Sequence, residues 1–306
     1  MTRLSPRLIR QATRLSPLLA PLLRANRTIE SAQRELNWIR QELPSTEWIS
    51  AVQARKNLVP LQYILGNVPF GDLTIECRPG VLIPRPETEA WVIELSERLE
   101  GLLNKEDEVS IVDACTGTGC IPLLLSHKLD EFKAKFAAFD VSGEAVTLAN
   151  DNKIVNQENG SDRVEFTLGD VFNVNILQHL GVDQVDLVTA NPPYIPLADY
   201  EKSLFLHGIE KSVKLYEPKL ALIGEYEFYL ELLQNIVIPG HAKAFVFEIG
   251  YEEQAEFVRE YLKEYSAWRV GIWCDYSDNV RCVVGWNVNS EYVKLQDMCH
   301  HLYQSE

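Results

Sequence analysis

Four consecutive residues, Asn191-Pro192-Pro193-Tyr194, place a carboxamide, two rigid backbone links and a phenol directly after the apolar run Val185–Ala190. Two prolines in a row fix two φ angles and remove two backbone donors. The carbonyls at Asn191 and Pro192 therefore face few competing donors nearby. The Asn191 side-chain carbonyl and the Pro192 main-chain carbonyl can each accept one N–H of a single planar nitrogen, while the Asn191 amide donates to a carbonyl beside it. Tyr194 offers a flat wall. This grip suits a nitrogen whose lone pair is delocalised, such as an amide or an exocyclic base amine. It aims that nitrogen at an electrophilic carbon and stabilises the positive charge that develops. No general base is needed before attack, because the proton can leave afterwards. The alternative is a Pro-Pro loop terminator with no chemistry, which the place behind a strand and a glycine loop disfavours.

That glycine loop is Asp113-Ala114-Cys115-Thr116-Gly117-Thr118-Gly119. It follows an apolar run and opens a helical stretch at Ile121. Glycines there let the backbone approach a ligand closely, and the helix N-terminus favours polar groups. A dinucleotide site wants Gly-x-Gly-x-x-Gly. Here Cys115 and Pro122 fit that spacing poorly, and an Asp leading into Gly-x-Gly suits S-adenosylmethionine better. Asp140 ends the next apolar run, 21 residues beyond Gly119, where a carboxylate can accept both ribose hydroxyls of an adenosyl group. Asp170, after the third run, can accept the adenine amino group, with Val171 or Phe172 lining the ring.

These loops need strands to hold them. Val109–Asp113, Phe136–Asp140, Val164–Leu168, Val185–Ala190, Ala244–Ile249, Val270–Trp273 and Cys282–Trp286 read as short strands. Helical stretches Ile121–Lys128, Glu144–Gln157, Tyr226–Ile236 and Glu252–Leu262 separate most of them. Strands alternating with helices imply βαβ units and a mostly parallel sheet. The last two strands are joined by Cys274–Arg281, too short for a helical crossover, so the final strand is expected to run antiparallel. The predicted class is α/β: six parallel strands and one antiparallel, the shape of class I methyltransferases, which strand counting alone does not separate from other doubly wound folds.

In front of the sheet the texture differs. Thr28 is expected to cap a helix carrying Ile29, Ala32, Leu36 and Ile39; Pro44-Ser45-Thr46 breaks it, and Thr46 is expected to cap a second helix through Trp48, Ile49 and Val52. Phe70-Gly71 and Pro79-Gly80 read as turns flanking a strand, Leu73–Cys77, in a hairpin linker. A further helix is expected from Glu87, with Trp91, Val92, Leu95 and Leu99 on one face. We expect a helical, substrate-binding domain over residues 1–66, the linker over 67–86 and a catalytic domain over 87–306.

Composition narrows the class. The 306 residues are 46% hydrophobic and 24% charged, an ordinary globular balance. No apolar run approaches the roughly 20 residues that span a bilayer, so a transmembrane protein is not expected. Six scattered cysteines without a Cys-x-x-Cys pair argue against a disulfide scaffold and a structural zinc site. The net charge is −15, and six arginines without an acid in residues 1–29 leave the remainder at −21. A phosphate backbone would repel such a surface, so no direct nucleic-acid binding is expected. Arg3, Arg7, Arg10 and Arg14 share one helical face, with Leu4, Leu8 and Leu15 on another. This reads as a mitochondrial presequence over residues 1–25 or as the basic first helix of a helical domain, and the two can overlap.

With Ile83-Pro84-Arg85-Pro86-Glu87-Thr88-Glu89, Pro60-Leu61-Gln62-Tyr63-Ile64-Leu65-Gly66 and Glu217-Pro218-Lys219-Leu220-Ala221-Leu222 beside Asn191-Pro192-Pro193-Tyr194, the chain resembles the protein-(glutamine-N5) methyltransferases of peptide-chain release factors. The resemblance runs from about Thr28 to Trp286. It implies S-adenosylmethionine as cofactor, S-adenosylhomocysteine as product and no metal. Thr116, Gly117, Thr118 and Gly119 would wrap the methionine part, Asp140 the ribose, position 171 the adenine, and Asn191 to Tyr194 the glutamine of a Gly-Gly-Gln loop. With the arginine-rich start, it implies a mitochondrial, fungal-type member in the matrix, with the cytoplasm as alternative, acting on a class I release factor and favoured as a monomer.

Three departures from the family pattern stand out. Cys115 occupies the place of the loop's first glycine, Val171 that of an aromatic, and Gly224-Glu225-Tyr226-Glu227 a shortened glycine-rich stretch. Arg85 is expected in the interdomain cleft, meeting a substrate carbonyl or pairing with Glu87 or Glu89. Two rivals remain open here. An adenine N6 methyltransferase acting on nucleic acid would carry a basic recognition region, and a silent release-factor-binding protein would carry a damaged Asn-Pro-Pro-Tyr. His127, His179, His207, His241 and the pair His300-His301, in a polar tail, read as surface or packing residues.

Overall fold

Ser5 and Thr28 begin two helices in the same way: each side chain accepts a hydrogen bond from the backbone N–H three residues on, Leu8 and Ser31, at 3.1 Å. The computed structural model describes residues 4–157, 160–202 and 209–303. Arg3 of the arginine face and His207 lie outside the described residues.

The N-terminal helices are α1 (Pro6–Leu15), α2 (Leu19–Asn26), α3 (Ile29–Glu42), α4 (Trp48–Lys56) and the short α5 (Leu61–Leu65). Leu19, Leu22 and Leu23 of α2 pack with Leu36 and Ile39 of α3 and Val52 of α4 in one apolar cluster. The buried Glu35 on α3 takes a bidentate grip from Arg55 on α4, with N–O separations of 2.9–3.0 Å. Thr46 does not cap α4. A turn closed by Glu47 N on Pro44 O carries the chain past it, and Glu47 holds the cap position without a side-chain bond. Leu15, expected on the apolar face of α1, is exposed.

The strands β1 (Asn67–Phe70) and β2 (Leu73–Glu76) form the hairpin. It is fastened by α8 (Gly143–Val155). There Asn152 accepts from Glu76 N at 2.6 Å and donates to Thr118 O at 3.0 Å. Helix α6 (Pro86–Leu102) starts with proline at its first position and buries Trp91, Val92, Leu95 and Leu99.

The large sheet comprises β3 (Glu108–Ala114), β4 (Lys133–Asp140), β5 (Val164–Leu168), β6 (Leu187–Ala190), β7 (Ala244–Glu248), β8 (Trp268–Cys274), β9 (Val280–Asn287) and β10 (His301–Leu302). Among the described residues these form one sheet in the order β10-β8-β9-β7-β6-β3-β4-β5. β3 to β7 pair in parallel, and β9 lies antiparallel between β7 and β8, as the short Cys274–Arg281 connection predicts. β10 adds an antiparallel edge to β8 that the sequence did not show: the polar tail at His300-His301 returns to the sheet. Alternate residues feed opposite faces. Ile111 joins the core under α6 and α7 (Cys120–Lys128), while Val112 joins the core under α12 (Tyr226–Leu232) and α13 (Glu252–Leu262).

The chain runs from β3 outward through β4 and β5, then returns to place β6 on the other side of β3. Loops after β3 and β6 therefore diverge at the switch point of the sheet and leave a crevice at the strands' C-terminal ends. Both candidate chemical motifs sit there.

Candidate active site

Strand register brings the motifs together. Ala114 pairs with Ala190, so the glycine loop and Asn191 leave the sheet side by side. Ala114 also pairs with Phe139, and Asp140 with Leu168, which carries Asp140 and Gly169-Asp170 to the same edge. The four loops border one cavity of about 280 Å³. Gly80–Arg85 and Pro218–Ala221 close it from above, and Phe228 of α12 from one side.

The glycine loop is built by three consecutive needs for left-handed backbone. Cys115, Gly117 and Gly119 have φ of 57°, 55° and 79°. Cys115, in the place of a glycine, keeps the glycine-like conformation, and it borders the cavity with its thiol pushed well up by burial. A side chain at Gly117 would meet no atom within 4 Å, whereas one at Gly119 would strike the Phe166 ring at 2.6 Å. Gly117 thus faces open space and Gly119 faces packing. The Asp140 carboxylate ties the two loops: Oδ2 accepts from Gly117 N and Oδ1 from Ser142 N, both at 2.9 Å. Burial raises its pKa, and these backbone donors pull it back.

Thr116, Thr118, Asp170, Val171 and Phe172 also border the cavity. Val171 is buried there, and Phe172 meets Phe228 edge-on with centroids 5.3 Å apart. Asp113 does not border it. Its carboxyl is completely buried behind the loop, where Thr189 Oγ1 donates to it at 2.7 Å and its second oxygen has no partner. Burial pushes this acid up to about 7, against the pull of the Thr189 hydroxyl. A strand-end side chain turned into the sheet cannot reach a ligand in the crevice.

Asn191 and Pro193 line the cavity, but Pro192 and Tyr194 do not. Tyr194 packs its ring on Gly250 and donates its hydroxyl to Glu248 Oε1 at 3.3 Å. The expected flat wall is therefore turned toward the sheet. Arg85 pairs with neither Glu87 nor Glu89. Its guanidinium meets Glu217 Oε2 at 2.6 Å, and Glu217 also accepts from Ile83 N. This ion pair links the two segments roofing the cavity.

The sequence reading passed over three residues here. Glu248, the last residue of β7, is buried. Its Oε2 accepts from Thr88 Oγ1 at 2.6 Å and from Trp91 Nε1 at 2.9 Å. Asn191 Nδ2 in turn donates to Thr88 Oγ1 at 3.3 Å. Burial raises the Glu248 pKa, and the Thr88, Trp91 and Tyr194 hydrogen bonds lower it. An acid inside the apolar run Ala244–Ile249 was the visible signal. Cys274, Asp278 and His301 form the one group of metal-capable side chains found among the described residues, with ligand atoms within 4.8 Å, and none of them borders the cavity.

A methyltransferase-domain family model matches residues 105–223. The mitochondrial MRF1 N(5)-glutamine methyltransferase of Saccharomyces cerevisiae is 40% identical over 94% of this chain and 89% of its own. The probable MRF1 mitochondrial N(5)-glutamine methyltransferase of Schizosaccharomyces pombe is 34% identical over 89% and 93%. The release factor glutamine methyltransferase of Lactococcus lactis is 34% identical over 71% and 75%. Among solved structures, the human METTL16 catalytic domain with a MAT2A 3′UTR hairpin matches with a TM-score of 0.54 at 19% identity, covering 78% and 82%. At that identity the likeness is one of fold: a class I methyltransferase sheet.

Proposed function

We propose that this chain, which belongs to the N(5)-glutamine methyltransferase family, methylates the side-chain amide nitrogen of the glutamine in the Gly-Gly-Gln loop of a class I mitochondrial release factor, using S-adenosylmethionine. The observation that carries this reading is the Ala114–Ala190 register, which opens the glycine loop and Asn191 onto one cavity. The described residues fit the cofactor: Gly117 borders the cavity with open space beside it, where an added Cβ would meet nothing within 4 Å, and Asp140 stands at the adjoining strand end. When bound, S-adenosylmethionine supplies a methyl carbon made electrophilic by its sulfonium.

The chain's own residues do the rest by position. Thr116 to Gly119 would cradle the methionine part, Asp140 the ribose, and Asp170 and Val171 the adenine. Phe172 and Phe228, in edge-on contact, border that side of the cavity. Asn191 Oδ1 would accept from the substrate amide and hold its nitrogen in line, while the buried Pro192, outside the cavity lining, would stiffen the loop that carries it. Arg85, tied to Glu217, would shape the entrance rather than carry the reacting group. We place the helical domain at residues 1–66, the linker at 67–86 and the catalytic domain from 87, with the helical part receiving the release factor.

A mitochondrial address is part of the proposal, supported by the names of the two fungal relatives and by the arginine-rich α1. The full burial of Leu19, Leu22 and Leu23 supports keeping α2 in the folded domain. The targeting information is therefore assigned to α1. A methyl-transfer assay compares the release factor, its Gln→Ala loop variant and DNA. Labelling of the factor alone, lost in the loop variant, is expected; labelling of DNA and not the factor overturns the assignment.

A further inference from the structure

The proposed methyl transfer needs Asn191 to present its carbonyl, not its amide nitrogen, to the group being methylated. An Asn side chain can flip, and nothing in the Asn-Pro-Pro-Tyr run itself selects one orientation. The selection is made beneath it. Trp91 Nε1–H can only donate, and it donates to Glu248 Oε2, so that oxygen is an acceptor. Thr88 Oγ1, 2.6 Å from the same oxygen, must then spend its hydrogen on Glu248. What remains on Thr88 is a lone pair, and that lone pair can take only the Nδ2 side of Asn191. Oδ1 is left on the other side of the amide, with no protein donor bonded to it among the described residues.

We infer that Thr88 and Glu248 are positioning residues: a one-way hydrogen-bond relay, Asn191 to Thr88 to Glu248, that locks the Asn191 carbonyl toward the substrate nitrogen. The inference rests on the proposed glutamine methylation for its consequence, but not for its geometry. The relay is rigidly housed. Thr88 and Glu248 are each 2% exposed and Trp91 is fully buried. Thr88 comes from α6 and Glu248 from β7, so an element outside the parallel strands sets the orientation of a loop between them. Pairing of Ala190 with Phe247 puts Glu248 one residue past the strand end where Asn191 leaves.

Conservative variants separate the relay from mere packing. Thr88→Ser keeps the hydroxyl but loses a methyl; Thr88→Val keeps the shape but loses both bonds. Glu248→Gln can keep an oxygen toward Thr88 and Trp91 and turn its nitrogen to Tyr194, whereas Glu248→Met offers no acceptor. With the full chain and a release factor, Thr88→Ser and Glu248→Gln are expected to stay near wild type. Thr88→Val and Glu248→Met are expected to lose about 10²-fold in kcat, as a misplaced reacting group does, with KM and calorimetric cofactor affinity little changed. Equal loss in Thr88→Ser and Thr88→Val, or full turnover in Thr88→Val, overturns the relay. The Asn191 side-chain amide, followed by 15N NMR, is independent of any acceptor protein: its protons should shift and exchange faster in Thr88→Val and not in Thr88→Ser. An unchanged amide in Thr88→Val overturns the relay. Failure of wild type to label a release factor, with that NMR difference present, would instead overturn the assigned substrate.

Discussion

Two glycines two residues apart should fail in different ways when given a methyl group. Both sit in left-handed backbone, so alanine at either costs about 1–2 kcal/mol in conformation alone. At Gly117 nothing lies within 4 Å of the added carbon. Its stability loss should stop at about 1–2 kcal/mol, while the methyl takes up cavity space meant for the ligand. At Gly119 the added carbon would meet Phe166 at 2.6 and 2.9 Å and Ala149 at 3.1 Å. Overpacking of that kind adds about 1–3 kcal/mol, giving roughly 2–5 kcal/mol in all. Urea unfolding of the ligand-free chain should therefore rank Gly119→Ala well below Gly117→Ala. Adding S-adenosylmethionine should reverse the contrast in ligand response. At 100 times its Kd a ligand adds about 2.7 kcal/mol of stability, and each tenfold weakening removes about 1.4 kcal/mol of that. Gly117→Ala should show the smaller ligand-induced gain although it is the more stable free protein. Equal stability losses, or an undiminished ligand response in Gly117→Ala, would refute the division of the loop into a ligand face and a packing face.

Other expectations follow from the same geometry. Asn191→Ala should remove most turnover and leave calorimetric cofactor binding largely intact; equal turnover would show that the grip is misassigned. Asp113 titrates near about 7 when folded against about 4 unfolded, so the folded state holds the extra proton between those values and stability falls as pH rises through them. Asp113→Asn should therefore show a shallower fall between pH 5 and pH 8 in urea midpoints, and parallel slopes would refute it. Leu22→Ala should cost roughly 2–5 kcal/mol in unfolding of the helical part, read by circular dichroism. A reporter carrying residues 1–16 should enter mitochondria; import of a chain lacking them at the wild-type level would end the targeting idea.

Much of the site was legible because its parts are local. A glycine loop after a strand, an acid at the next strand end and Asn-Pro-Pro-Tyr after the fourth strand each announce themselves within a few residues. The antiparallel β9 was legible from a connection too short for a helix. What sequence could not convey was direction across the sheet. Asp113 stands one residue before the end of β3 and Asp140 ends β4, yet one carboxyl turns inward to Thr189 and the other upward to Gly117. Tyr194 stands three residues from Asn191, but its hydroxyl is drawn toward Glu248, 54 residues away in the chain. Arg85 had two acids within four residues and chose Glu217, 132 residues on, because that acid is buried and otherwise unneutralised. Burial decides these choices, and burial is a property of the assembled fold.

The sign of the charge around the cavity separates the two cofactor classes that the glycine loop left open. A pyrophosphate would need free backbone donors and a cation. Gly117 N is already taken by the Asp140 carboxylate. Arg85, the one Lys or Arg among the described residues bordering the cavity, is committed to Glu217. Asp140 and Asp170 both face the space, and the net field of an acidic chain reinforces them. An anionic dinucleotide would bring two phosphates against uncompensated carboxylates, whereas a ligand with a sulfonium and an ammonium would be drawn in. The acidic lining therefore favours the cationic methyl donor.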